Sequence, residues 1–453
     1  TGGVLAGGAD PGAAVTGPVV VDSRDAGPGA LFVALPGERA DGHDFAAAAV
    51  EAGAVAVLAE RELAVPCVVT PAGVPALSRL ARAVLDRLPG VAVVGLTGSS
   101  GKTSTKDLLA AVLARAGDTV APQGSFNNEV GVPLTVLRAA PSTRFLVVEM
   151  GARGIGHICE LCRTAPPRVG VVLNVGTAHV GEFGGRDAVA RAKGELVEAL
   201  PDAAAGGVAV LNADDPAVAA MAARTRARVV WFGESARAEV RATDVEVDDR
   251  GRPAFTLVTP AGSGAVRLRL YGEHHVSNAL AAAAAALSLG MAVGDVAAAL
   301  SEAEPASRWR MEVTERPDGV TVVNDAYNAN PESVRAALKA LVAMGRGRRT
   351  WAVLGEMLEL GPESASAHDA VGRLAVRLDV SRLVVVGDGA RAVHTGAVHE
   401  GSWGEESVFV TDAEEAHALL REQLRPGDVV LVKASNSIGL HALGERLARE
   451  GTS

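Results

Sequence analysis

Short apolar runs rich in valine recur along the chain and alternate with longer stretches whose apolar positions follow a helical period. In the middle of the sequence the runs are VAVV (91–94), LVVEM (146–150), VGVVLNV (169–175), VAVLN (208–212) and VVWF (229–232). Runs this short and this continuous suit strands buried on both faces, and the segments between them read as helices, as in KDLLAAVLARAG (106–117), which Gly117 closes. Such alternation predicts a mostly parallel sheet with helices on both faces. The same pattern returns later in TVVNDAY, TWAVLG, LVVVGDG, VFVTD and DVVLVKAS, and in a smaller form earlier in VVVDSR, LFVAL, AVAVLAE and CVVT. Three α/β domains are therefore expected: a small one over residues 1–88, a central one over 89–305 and a Rossmann-like one over 306–453. The polar, turn-rich stretch 234–270 predicts an antiparallel appendage. The tract ALAAAAAALSLG (279–290) reads as an alanine-rich helix ended by Gly290, well short of the ~20 apolar residues that span a bilayer.

At 453 residues the chain has material for about three cores, so composition agrees with that division. The formal charge of −10 and the 3% of aromatics, with no basic run, argue against a nucleic-acid partner, and the shortness of the longest apolar tract, 279–290, argues against membrane insertion. Any site for anions has to be built locally. The start, TGGVLAGGADPG, has neither a basic region nor an apolar core, so no signal peptide is expected. It also lacks methionine, and the first residues are expected to be missing. Three cysteines, Cys67, Cys159 and Cys162, suit a reducing compartment, with the cytoplasm as the default. In HICELC, His157 with the two cysteines falls short of the four ligands of a structural zinc site, so Ile158 and Leu161 are read as a buried helix face and the cysteines as incidental neighbours.

The candidate chemistry centres on GLTGSSGKTST (95–105), a glycine-rich turn between an apolar run and a helical segment. It misses the usual phosphate-loop spacing by one residue, since Leu96 stands where the first glycine would be. A strand that turns sharply into a helix aims backbone N–H groups at a phosphate. In that frame Lys102 would neutralise the terminal phosphates of a nucleotide and Thr103 would offer its hydroxyl to Mg²⁺. Ligands of open parallel sheets sit at the carboxyl ends of strands, where Glu149, Asn174 and His179 follow apolar runs and can serve Mg²⁺ directly or indirectly. With Lys193 on the next helix they make a two-metal constellation.

TGSSGKTST, GSFNNEVGVPLT, VVEMGA, NVGTAHV, AKGEL, GEHHVSNALAA and NDAYNANP, in that order, resemble the Mur ligase family over nearly the whole chain. The resemblance extends to DSRDAGPGALFVALPGERADGHDF, similar to the part that recognises a UDP-sugar. It implies an ATP-dependent ligase that joins D-alanyl-D-alanine to UDP-N-acetylmuramoyl-tripeptide through an acyl phosphate, in peptidoglycan precursor synthesis, acting as a monomer with two Mg²⁺ ions. The incoming dipeptide would bind the third domain. Carried over by position, Thr97, Gly98, Ser99, Ser100, Gly101, Lys102, Thr103 and Ser104 hold ATP together with Asn128, Asn278, Arg310 and Asp325. Asn278 would contact adenine and Asp325 the ribose. Thr103, Glu149, His179 and a carbamylated Lys193 would hold the metals, with Lys102, Lys193, His179 and Arg310 as the catalytic set. Ser23, Arg24, Asn127 and Asn328 would bind substrate.

Two positions depart from the family pattern. His275 stands where an adenine-contacting asparagine is usual, and Ala434 and Asn436 replace a glycine and an arginine of the third domain. The DNPR run of ligases that add a diamino acid is absent, and Lys102-Thr103-Ser104 differs from the Lys-Gly-Ser of folylpolyglutamate synthetases. The alternatives are another Mur-type ligase and, from a different class, a phosphate-loop NTPase switch or nucleotide-binding subunit, which would hydrolyse ATP without an amine acceptor.

Overall fold

The computed structural model describes all residues except 38–39, 177–184, 402–403, 405 and 451–453. Its strands form three sheets, one in each third of the chain. The first has five strands in the order Val4–Ala6, Cys67–Val69, Ala56–Ala59, Leu31–Val33, Val19–Val20, antiparallel only at the first pair. The third has six, ordered Glu312–Glu315, Thr321–Asn324, Val429–Lys433, Thr350–Leu354, Arg382–Val386, Ser407–Val410, again with one antiparallel edge pair.

The central sheet has nine strands. Ala92–Thr97 lies between Phe145–Glu149 and Val169–Val172, so the phosphate loop leaves the sheet beside the ends of two neighbouring strands. Beyond them come Val208–Asn212 and Arg228–Gly233, all parallel. The stretch 234–270 is antiparallel within itself as expected, yet it is no appendage. Val240–Val247 pairs in parallel with Arg228–Gly233, and the antiparallel hairpin strands Pro253–Thr259 and Gly262–Arg267 continue the same sheet. The reason lies in period-2 patterning: Phe255 and Leu257 alternate with half-buried residues and enter the same core as the central strands.

The alanine tract forms helix His275–Ser288, and Gly290 follows it at φ +90°. Ala279 and Ala281 to Ala286 are fully buried, because a helix apolar all round belongs inside a core. It packs on the sheet beside helix Lys102–Ala114, which opens at the phosphate loop, and both enter the same core. Helix His157–Thr164 buries Ile158 and Leu161 as read from sequence, but Cys162 is buried with them, its Sγ 3.7 Å from Met150 Sδ. Burial pushes that thiol up to about 12, which makes it an inert core member and corrects its reading as an incidental neighbour. No group of three or more His, Cys, Asp or Glu side chains that could hold a metal ion occurs there or elsewhere among the described residues. No described helix is long and apolar enough to cross a membrane. One face of the first sheet, with Leu31, Val33 and Leu58, shares a small core with Leu77 of helix Gly73–Leu85 and with Leu134 of the short helix Gly131–Val136 in the central part.

Candidate active site

Gly101 makes the turn from loop to helix at φ +79°, a left-handed conformation natural to glycine. A Cβ there would also collide with Asn278 Oδ1. Helix Lys102–Ala114 starts without a side-chain cap, so its first N–H groups and its dipole remain for an anion. The loop itself is clamped: the Ser99 and Ser100 N–H groups donate to Asn174 Oδ1 at 3.0 Å each, and Asn174 Nδ2 donates to the Ser100 carbonyl at 3.2 Å. Asn174, a candidate for Mg²⁺ by sequence, therefore serves to hold the loop. Gly176 N–H adds a bond to Ser99 Oγ. Thr97 ends the strand with a buried, unpaired hydroxyl, and Ser104 sits in the first helical turn.

A cleft of about 750 Å³ opens in front of this turn. It takes Val21 from the first part of the chain, Lys102, Thr103, Asn127, Asn128, Glu149 and Lys193 from the centre, and Arg310, Tyr327, Asn328, Glu359 and Asn436 from the third. Such a size suits a ligand of several rings. Glu149 is fully buried at the end of its strand. Its Oε1 accepts from Ser125 Oγ (3.1 Å) and Asn127 Nδ2 (2.8 Å), whereas its Oε2 is buried with no partner. A carboxylate oxygen with no donor is costly unless a cation meets it, and Thr103 Oγ1 lines the same space. This donor set suits a hard divalent ion.

Lys102 Nζ donates to the Gly98 carbonyl at 2.8 Å. Burial lowers its ammonium from the ordinary amine range, Glu149 opposes that, Arg310 adds to it and Glu359 opposes it. Lys193, on helix Arg186–Glu198, is buried and has no ion-pair or hydrogen-bond partner among the described residues. Burial, reinforced by Lys102, holds it well below the ordinary range. Glu195, the acid that could have paired with it, instead accepts from Gly156 and Cys159 N–H at the start of helix His157–Thr164. His179 lies outside the described residues.

Arg310 reaches across from the third part. Its guanidinium lies 4.2 Å from the Tyr327 ring centroid, and its Nη2 donates to Thr103 Oγ1 at 3.2 Å. Asn330 Nδ2 is 3.5 Å from the Ser99 carbonyl, a second bridge between the same parts. Asp325 is occupied, its carboxylate accepting from Lys433 Nζ (2.6 Å) and Met311 N–H (3.0 Å). Lys433 also donates to the Asn328 carbonyl. Asn278 Nδ2 donates to His275 Nδ1 at 3.3 Å, which places the imidazole proton on Nε2, a buried atom with no partner. Asn128 Oδ1 accepts from Gly131 N–H at the start of a helix, and Asn127 positions Glu149. Ser23 opens a short 3₁₀ turn whose cap, Asp22, pairs with the exposed Arg24, and Arg24 holds that carboxyl down to about 2. Ala434 is buried and Asn436 lines the cleft.

Sequence reasoning missed Tyr327 and Glu359. Tyr327 lay within the quoted NDAYNANP, and Glu359 five residues past the run TWAVL at a carboxyl strand end, so position relative to strands was the available signal.

Family models match three successive segments: "Mur ligase family, catalytic domain" at residues 18–93, "Mur ligase middle domain" at 96–286 and "Mur ligase, glutamate ligase domain" at 309–436. Among curated relatives, the UDP-N-acetylmuramoyl-tripeptide–D-alanyl-D-alanine ligase of Mycobacterium tuberculosis is 54% identical, over 97% of this chain and 93% of the relative. That of Escherichia coli is 36% identical, over 96% and 94%. Among solved structures, MurF from Acinetobacter baumannii superposes with a TM-score of 0.85 at 33% identity, covering 96% of this chain and 93% of its own. MurF ligase from Thermotoga maritima in complex with ADP gives 0.82 at 30% identity, over 96% and 98%.

Proposed function

The chain belongs to the Mur ligase family, and from that premise we propose that it is the ATP-dependent ligase that joins D-alanyl-D-alanine to UDP-N-acetylmuramoyl-tripeptide. It releases ADP and phosphate and supplies a peptidoglycan precursor. The observation that carries this reading is the Arg310–Thr103 contact of 3.2 Å, which sets a cation of the third part against the phosphate-binding helix of the centre. Two anions, the γ-phosphate of ATP and the carboxylate of the tripeptide, have to meet there, and Lys102, Arg310 and the uncapped helix terminus provide the positive field.

In the first step a carboxylate oxygen attacks the γ-phosphorus and ADP leaves, giving an acyl phosphate. In the second the dipeptide nitrogen attacks the acyl carbon, one proton passes to solvent and another to the departing phosphate, and the amide forms as the C–O bond breaks. Mg²⁺ would supply charge neutralisation for the phosphates, held by Thr103 and Glu149, whose unpaired Oε2 supports the assignment. Lys193, whose ammonium is held by burial well below the ordinary range and which has no partner among the described residues, supports the reading of a carbamate that would hold a second Mg²⁺ with His179. Asn278 and His275 are assigned to adenine, the latter through its unpaired Nε2–H, and Asp325, Asn128 and the loop from Thr97 to Ser104 to the rest of the nucleotide. The turn at Ser23 and Arg24, with Asn127 and Asn328, is assigned to the UDP-substrate and dipeptide. The enzyme works as a cytoplasmic monomer, a compartment consistent with three free cysteines.

The test is phosphate release measured with ATP alone, with UDP-tripeptide added, and with both UDP-tripeptide and dipeptide. Turnover is expected only in the last mixture, with the pentapeptide product seen by mass. ATP hydrolysis at full rate without any amine acceptor would replace this reading with that of an NTPase switch.

A further inference from the structure

Glu359 is the one carboxylate that the third part of the chain brings to the cleft among the described residues. It follows strand Thr350–Leu354, which lies beside Val429–Lys433 in the middle of its sheet, and open sheets receive ligands beyond such carboxyl ends. The segment carrying it is fastened on both sides. Met357 N–H donates to His368 Nε2 (2.9 Å), Leu358 N–H to Ser435 Oγ (2.9 Å), and Ser435 N–H to the Glu356 carbonyl (3.0 Å). Met357 and Leu360 are buried in the core of that sheet.

Between those anchors Glu359 adopts φ +65°, in the left-handed region that glycine occupies freely and glutamate does not. A strained conformation at a cleft-lining residue is where function is to be sought. Of the other charges facing that space, Lys102, Lys193 and Arg310 match the two anions, and the remaining carboxylates, Glu129, Glu149 and Glu160, all come from the central part. Glu359 stands near enough to Lys102 to counter part of the effect of burial on that ammonium. One reactant still lacks a counter-charge. The incoming amine is an ammonium ion in water, and it must wait on the third part's side until the acyl phosphate exists.

Resting on the function proposed above, we infer that Glu359 receives the ammonium group of the incoming dipeptide and thereby fixes which end of that substrate faces the acyl phosphate. The third part's other polar residues in the cleft, among them Asn328 and Asn436, carry no negative charge, which leaves Glu359 as the electrostatic anchor for a cation on that side among the described residues.

The test compares wild type with Glu359→Gln and Glu359→Gly. The KM for D-alanyl-D-alanine is expected to rise about ten- to a hundredfold in both, the loss that follows removal of one charged hydrogen-bond partner. Acyl-phosphate formation on UDP-tripeptide, trapped with hydroxylamine in the absence of dipeptide, is expected to stay within twofold of wild type. Propanoyl-D-alanine, which lacks the amine, serves as a competitive inhibitor, and its inhibition constant is expected to be unchanged by either substitution. Equal weakening of the dipeptide and of propanoyl-D-alanine would overturn the inference, and so would normal dipeptide KM in Glu359→Gly, which relieves the backbone while removing the charge. Absence of ligation in wild type would instead defeat the function on which the inference rests.

Discussion

Lys193 is buried with no ion-pair partner among the described residues, and burial, reinforced by Lys102, pushes its ammonium well below the ordinary range, toward the neutral amine. A neutral amine adds CO₂, turning a cation into an oxygen ligand long enough to serve a hard metal. Lys193→Ala is expected to lose ligation by orders of magnitude and to recover part of it in acetate or formate, while ¹³CO₂ should give the wild type a carbamate resonance that the variant lacks. Full activity of Lys193→Ala with no carboxylate added would end the idea. His275 supplies a pH dependence. Burial lowers the imidazole of His275 well below its ordinary value, and that of its neighbour His274 to about 4. Because the folded forms bind protons more weakly, the unfolded chain protonates first as pH falls below about 6.5, and stability is lost on the way down to the folded values. Each such histidine contributes a slope of up to about 1.4 kcal/mol per pH unit. His275→Asn should therefore flatten the acid limb of a urea-unfolding series below about pH 6.5, and an unaltered slope would contradict it.

Helix His275–Ser288 shows what local pattern can and cannot disclose. Its alanine run and closing Gly290 were legible because helical period and a left-handed stop are written in neighbouring residues. So was the strand, loop and helix around Gly101. The order of strands was not, since Ala92–Thr97 lies between strands that follow it in sequence. Nor were the tasks of Asn174 and Glu195, each bonded to backbone more than thirty residues away, or the exposed position of Glu359, set by bonds to Ser435 and His368 nearby. The edge strands 240–267 were read as separate because their polar outer face hid a one-sided core contribution. The alanine helix also has an energetic consequence, because interiors are close-packed and its small side chains set how near helix Lys102–Ala114 can lie. Ala283→Leu should cost about 1–3 kcal/mol by overpacking, read as a lower urea midpoint, and should weaken ATP binding through the displaced phosphate helix. A variant that lost stability and kept wild-type nucleotide affinity would show that the two helices are not coupled.

Among the described residues, two hydrogen bonds tie the third part to the phosphate loop, Arg310–Thr103 at 3.2 Å and Asn330–Ser99 at 3.5 Å. Bonds of that kind contribute about 1 kcal/mol each, too little to hold a domain against its freedom of motion. The connecting segment also holds Trp309 and Met311 at φ +57° and +51°, conformations that a change of angle would relieve. Small-angle scattering should therefore give a larger radius of gyration for the free protein than with an ATP analogue and UDP-tripeptide bound together, closing about residues 303–308; identical curves would refute such closure, whose purpose is to keep water from the acyl phosphate. The apolar face that the first sheet shares with Leu134 has a consequence for how the molecule comes apart. Leu31, Val33 and Leu58 of that face and Leu77 of helix Gly73–Leu85 share their small core with Leu134, Val130 and Leu137 of the central part, whereas the large buried side chains of the third part lie among their own strands and helices. Heating should therefore give two calorimetric transitions and not three, the first and central sheets melting as one cooperative unit. A fragment of residues 306–453 should fold by itself, while residues 1–88 expressed alone should bind a hydrophobic dye and aggregate.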